Sequence, residues 1–345
     1  MNTLRPEHSR ITTSHHRQED QLTLKSFTSD VEEAVNNIQP SRSNYEQVEV
    51  FAFHFEDDTT GVEALESELL DVFKRIYNYR TTSFVIPSIQ PRPHLNHKMI
   101  NWSFPRAHSK SLRIYVFSGY GASASITGPG WWIGGQADRY GRLVRPQINI
   151  KDMLDPCNDL DGDVLYLFDC GSAGPAAMRD GPEALTAGGW EPTSNTNRYF
   201  TRVLIDTLKD IQGQPVTVAQ IFAAGACPLH IPKLGRPSIT LQPLNRTISS
   251  PSPPIPSREK VLLSIILSGE ASPPNVAEWY QCLTYLLDVD VKIEAIFRPC
   301  RLLLSVLVEV WTMLPLNQNY VLIGRVTSHN TFGQTVPYRA ASMIR

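Results

Sequence analysis

The chain has no cysteine pair at a spacing that would close a zinc or redox motif. Its five cysteines, Cys157, Cys170, Cys227, Cys282 and Cys300, form no CxxC and are odd in number. That argues against a disulfide framework and for reduced thiols inside a cell. An excess of charge is also missing. With 32 basic and 34 acidic residues the net charge is −2, so no overall field draws the chain to nucleic acid or to an anionic membrane. No region presents a basic stripe with aromatics interleaved. Long apolar runs are absent too: the most apolar one, Val261 to Leu267, is strand-sized and too short to span a bilayer. The opening residues Met1-Asn2-Thr3-Leu4-Arg5 lack the apolar core of a secretion signal. A cytoplasmic protein is the expectation.

What is present describes a globular chain. Hydrophobic residues make up 41% and charged residues 19%, neither extreme enough for wholesale disorder. A length of 345 residues suggests about two domains, each able to bury a core. Residues 1–45 are rich in Ser, Thr, His, Gln and charge and read as a flexible polar arm, with one helical turn near Val31 to Val35. Ser249-Ser250-Pro251-Ser252-Pro253-Pro254-Ile255-Pro256 blocks both helix and central strand. It marks a linker over 249–258 between a first domain, 46–248, and a second, 259–330, followed by a tail, 331–345.

In the first domain short strands alternate with longer helices. Val48 to Phe53 is β-rich and runs into the acidic loop Glu56-Asp57-Asp58. Val62, Leu65, Leu69, Val72, Phe73 and Ile76 recur at helical spacing. Ser83 to Ile86, Leu112 to Phe117 and Asp163 to Phe168 are further strands. The last is a continuous apolar run suited to a strand covered on both faces. Tyr199 to Leu208 and Val216 to Ala224 read as helices, and Ser238 to Leu241 as a closing strand. Residues 94–103 show no decisive period. The fold class is α/β, a mainly parallel sheet sandwiched by helices. In the second domain Lys260–Ser268, Val276–Leu287, Val291–Arg298, Leu302–Val308, Val310–Leu314 and Tyr320–Thr327 give the order strand-helix-strand-strand-helix-strand. That is the split βαβ order of a small ferredoxin-like α+β domain.

In a parallel α/β sheet, ligands meet the carboxyl ends of the strands, where the outgoing loops converge. Two such loops stand out, Ser118-Gly119-Tyr120-Gly121-Ala122-Ser123 and Asp169-Cys170-Gly171-Ser172-Ala173-Gly174. Each is a sharp small-residue turn that lets backbone N–H groups face a substrate.

These loops resemble those of the caspase and metacaspase clan, cysteine peptidases of the caspase-haemoglobinase fold, in its fungal branch. In that clan one strand ends in Gly-His-Gly, which supplies the base. The next ends in Asp-Ser-Cys-His-Ser-Gly or, in many fungal relatives, in Asp-Cys-Cys, which supplies the nucleophile. Trp131-Trp132, Glu183-Ala184-Leu185-Thr186-Ala187-Gly188 and Tyr199-Phe200-Thr201-Arg202-Val203-Leu204-Ile205 resemble further segments of the family. Val310-Trp311 and Ser328-His329-Asn330 resemble its carboxy-terminal extension. The likeness runs over roughly residues 48 to 330 in order and spacing.

The resemblance also exposes a departure. Tyr120 stands where the base histidine belongs and Gly171 where the nucleophile belongs. Thiolate catalysis needs both a sulfur and a base or imidazolium beside it. A tyrosine, with an ordinary pKa of about 10, is a poor base near neutrality. The expected protein is thus a pseudopeptidase that needs no cofactor and no metal and binds a protein or peptide, another caspase-like chain included. Gly119, Gly121, Asp169 and Ser172 remain as binding-site candidates. The resemblance assigns Asp169 to an acidic pocket for a basic side chain; hydrogen bonds to its own tight turn are the structural alternative.

Two other readings stay open. Cys170, one position away, is a substitute nucleophile in an active endopeptidase cleaving after basic residues, provided that His54, His94, His97 or His108 approaches it. Against this, side chains alternate along an extended segment, so Cys170 faces away from position 171. In the second reading the chain is a scaffold acting through its carboxy-terminal domain. Ser118 and Ser172 have no neighbouring histidine in sequence and read as small turn residues. Glu56-Asp57-Asp58 lacks the alternation of a calcium loop and reads as a solvated turn.

Overall fold

The computed structural model describes residues 22–39, 45–125, 128–171, 182–187, 197–226, 229–233, 235–244, 259–267, 291–297, 301–315 and 317–326. The linker at 249–258, the expected helix over 276–287, Ser172 and the Ser328-His329-Asn330 motif lie outside them.

The centre is a six-stranded sheet built from β1 (Gln47–Phe55), β2 (Arg80–Ile86), β3 (Ser111–Ser118), β7 (Asp163–Asp169), β8 (Glu183–Thr186) and β10 (Leu229–Ile231). Its order is β10-β8-β7-β3-β1-β2. The pairs β1–β2, β1–β3, β3–β7 and β7–β8 are parallel, and β10 closes the sheet antiparallel to β8. Strand alternation sorts the apolar side chains into two cores. Val50, Ala52, Ile114, Val116, Leu165 and Leu167 face one side, toward α2 (Glu63–Arg75) and α5 (Asn197–Ile211). Phe51, Phe53, Tyr115, Phe117, Tyr166 and Phe168 face the other, toward α3 (Pro91–Ser103) and α4 (Lys151–Asn158). The second core is largely aromatic; Phe51 and Trp102 rings, for instance, lie 5.1 Å apart.

Beyond the carboxyl end of β3 the chain forms a separate three-stranded antiparallel sheet of β4 (Tyr120–Ser125), β5 (Gly128–Gly134) and β6 (Gln147–Asn149). The expected closing strand at 238–241 is displaced. Only Thr240–Leu241 (β11) is extended, and it pairs with Val216–Thr217 (β9) in a two-stranded ribbon. The helix expected from Val216 begins two residues later as α6 (Val218–Ile221), because the Thr217 side chain caps it by accepting from Gln220 N.

The four-stranded antiparallel sheet consists of β12 (Lys260–Ile266), β13 (Lys292–Phe297), β14 (Arg301–Leu307) and β15 (Tyr320–Val326) in the order β13-β14-β12-β15. This is the strand order of the split βαβ arrangement, with α7 (Val308–Met313) following the third strand. One face of the sheet, through Val261, Leu263, Ile265, Leu302 and Leu304, joins the same apolar cluster as the first core.

A correction concerns the amino-terminal arm. Leu24–Ile38 is a four-turn helix, α1, rather than a single turn in a flexible segment. Thr23 caps it, and Phe27, Val31, Ala34 and Ile38 recur every three or four residues to bury one stripe. The helix braces both sheets. Its Ile38 and Asn37 carbonyls accept from Thr217 Oγ1 and Ser238 N. Phe27 packs on Tyr320, 6.1 Å between rings, and the Tyr320 hydroxyl donates to Asp30. A second tie joins β10 to α7. His230, its side chain wholly buried, bonds Glu183 through Nε2 at 2.8 Å and Thr312 through Nδ1 at 3.1 Å. Among the described residues no helix is long and apolar enough to cross a membrane.

Candidate functional site

The ends of β3 and β7 lie side by side, Ser118 level with Asp169, so the two small-residue loops emerge together. Gly119 N donates to Asp169 O at 3.2 Å. The contact tightens at the next turn. A Cβ on Gly121 would stand 2.1 Å from the Gly171 carbonyl oxygen and 3.0 Å from Cys170 Sγ. Only glycine fits there, because the neighbouring loop fills the place of a side chain. Gly119 has a φ of +152°, and a Cβ on it would sit 2.9 Å from the Phe117 ring. Tyr120 is half-buried and pairs with Gly134 of β5.

Alternation along β7 sends consecutive residues to opposite faces. Asp169 turns toward α5, where its Oδ2 accepts from Thr201 N at 3.1 Å and from Thr201 Oγ1 at 2.5 Å. These bonds reach another element rather than its own turn, the structural alternative weighed in sequence. The carboxyl is 2% exposed, its Oδ1 has no hydrogen-bond partner among the described residues, and burial pushes its pKa up to about 7. Cys170 turns the other way, into the aromatic core with Trp131 and Phe168. It is fully buried; burial first, then the Asp169 charge, raises its thiol far above the ordinary value.

Three of the four histidines that an alternative thiol mechanism would need are engaged elsewhere. His54 Nδ1 bonds Glu66 Oε2 at 2.9 Å, and Glu66 in turn accepts from Ser83 at 2.6 Å. That bond raises the His54 pKa. His97 meets Asn101, and His108 meets Gln47. His94 is exposed on the first turn of α3.

Three buried polar residues line up across the strand ends on the face toward α2 and α5. Phe53 pairs with Phe117, so His54 stands level with Ser118, which is paired with Asp169. Ser118 was discounted in sequence for want of a neighbouring histidine; the parallel register supplies one from more than sixty positions away. Thr201 and Glu66, which hold Asp169 and His54, were missed as site residues, although Thr201 falls within the family-like stretch from Tyr199 to Ile205.

The acidic loop is not a wholly solvated turn. Asp58 Oδ1 caps its own loop through Thr60 and Gly61, but Asp58 Oδ2 and Asp57 Oδ1 are buried without a partner among the described residues. A Cβ on Gly119 would lie 3.3 Å from that Asp58 Oδ2. Burial raises the Asp58 pKa. Asp57 Oδ1, Asp58 Oδ2 and Asp169 Oδ1 are thus buried acceptor oxygens without a partner among the described residues, and among those residues no cluster of His, Cys, Asp and Glu could hold a metal ion. Of the adjacent tryptophans, Trp131 is in the core and Trp132 is half-buried, as opposite faces of one strand require.

No family model matches the chain, and no curated protein does. Among solved structures it is similar to the crystal structure of the Drosophila initiator caspase Dronc, with a TM-score of 0.32 and 12% identity over 50% of this chain and 68% of that one.

Proposed function

We propose that the chain is a caspase-like pseudopeptidase that binds a protein or peptide partner at the β3 and β7 strand ends without cleaving it. On this reading residues 46–248 are the caspase-like unit, 249–258 the linker, 259–330 the ferredoxin-like unit and 331–345 a tail. The observation that carries the proposal is the alternation at 169–171. Of the two cysteines among the described residues, Cys170 is the one beside the nucleophile position, and it lies in the aromatic core on the face opposite Asp169. Tyr120 and Gly171 offer neither base nor nucleophile.

The test is hydrolysis of Arg- and Lys-containing fluorogenic peptides by the purified full chain, beside a Cys170→Ala variant and native-state alkylation of Cys170. No turnover and an unreactive thiol are expected. Turnover that disappears in Cys170→Ala would overturn the proposal and establish the alternative peptidase.

A further inference from the structure

The loop between β5 and β6 carries Asp138-Arg139-Tyr140-Gly141-Arg142-Leu143-Val144-Arg145, too short to register as a basic stripe in sequence. The fold concentrates it into a hairpin tip. Ala137 bridges Leu143, and Gly141, at φ +75°, makes the turn. Asp138 Oδ1 accepts from Tyr140 N at 2.8 Å and Arg142 N at 2.9 Å, while its Oδ2 takes Arg142 Nε at 3.1 Å.

Tyr140 is 63% exposed, yet it is not loose. The Arg139 guanidinium lies 4.7 Å from its ring centre and the Arg142 guanidinium 5.0 Å. Arg139 Nη2 also donates to the Tyr140 hydroxyl at 2.7 Å. Arg145 and Val144 are exposed beside them. Three arginines against one aspartate leave the tip strongly positive on a chain whose net charge is −2.

The hairpin is also anchored to the site. Its flanking strands pair Gly134 with Tyr120 and with Gln147. At its base Gln136 Nε2 donates to Asp57 O, and Thr59 N donates to Gly135 O, each at 3.1 Å.

We infer that this arginine–tyrosine–arginine tip is the docking surface for an acidic segment of the protein partner. The inference rests on the pseudopeptidase reading above and adds the partner's chemistry. Exposed tyrosine and arginine are the side chains that most often dominate protein interfaces. Guanidinium planes match carboxylates in two-point bonds. Side chains already stacked lose less freedom on binding. Nucleic acid and membranes fit less well, since both reward an extended basic track and the positive charge here is confined to one loop.

The experiment measures fluorescence anisotropy of a short labelled Glu/Asp-rich peptide with the full-length chain. Its Gln/Asn counterpart, an oligothymidylate and phosphatidylserine vesicles are the competing probes. The acidic peptide should bind, more weakly at high salt, and lose roughly tenfold in affinity in an R139Q/R142Q variant. Arg75→Gln, a control far from the loop on α2, should change nothing. Arg139→Gln alone leaves the Asp138 turn intact, so a loss there is not a folding effect. Absence of binding, unchanged binding in both hairpin variants, or tighter binding to oligothymidylate or vesicles would overturn the inference. None of these outcomes would restore cleavage, so failure here is distinct from failure of the pseudopeptidase reading.

Discussion

Asp169 makes the electrostatics of the strand ends measurable. Its carboxyl is 2% exposed, keeps one oxygen without a partner among the described residues, and is pushed up to about 7 by burial. In the unfolded chain an aspartate titrates near about 3.9. The folded value is the higher one, so between the two the native state holds a proton that the unfolded state has released. Stability must therefore fall as pH rises through that interval, then level off once both states are ionised. The full penalty, roughly three units at about 1.36 kcal/mol each, is on the order of 4 kcal/mol. Between pH 5 and pH 8 about 2–3 kcal/mol of it should be lost, the rest having gone at lower pH. Asp169→Asn keeps an oxygen to accept from Thr201 and does not titrate. Urea unfolding of both proteins across this range isolates the effect, because every other titrating group cancels in the difference. Relative to wild type, the variant should gain about 2–3 kcal/mol from pH 5 to pH 8. A difference flat to within about 0.5 kcal/mol would refute the picture of a dehydrated, half-satisfied carboxyl.

Two substitutions separate steric from conformational demands on glycine. Gly121→Ala drives a Cβ to 2.1 Å from a backbone carbonyl and should lower stability by about 1–3 kcal/mol or more, read as a fall in Tm. Gly141→Ala meets nothing within 4 Å and pays only for its φ of +75°, about 1 kcal/mol; equal losses at the two sites would contradict this. Phe27→Ala removes a fully buried ring of α1 and should cost about 3–5 kcal/mol in urea unfolding. A change under about 0.5 kcal/mol would mean that α1 is not the brace described here.

Elements whose pattern is local were legible in the sequence. β1, β3 and β7 are apolar on both faces, and the stripe from Val62 to Ile76 announces α2. The strand order of the four-stranded sheet follows from its element order, although its first helix lies outside the described residues. Other features were hidden for identifiable reasons. The helix α1 buries only Phe27, Val31, Ala34 and Ile38, so its polar surface dominated the composition of the arm. β4 is made of Tyr, Gly, Ala and Ser, with little strand propensity; pairing with β5 defines it. The site depended on contacts far apart in the chain. Asp169 finds Thr201 thirty-two positions on, and His54 reaches the level of Ser118 only through the parallel register. Proximity in sequence was the wrong measure for side chains on neighbouring parallel strands.

The same register bears on whether Cys170 is a displaced nucleophile. A shift of one position is small along a loop but total along a strand, since each step exchanges one face for the other. Asp169 is on the α5 side of the sheet, bonded to Thr201, and Cys170 is on the aromatic side with Trp131 and Phe168. To bring the sulfur to the face that Asp169 occupies, the end of β7 would have to rotate. That would carry Asp169 into the aromatic core and break its bonds to Thr201. It would also drive the Gly171 carbonyl, already against Gly121, through the neighbouring loop. These costs fall together on one short segment, so Cys170 behaves as a packing residue of the core.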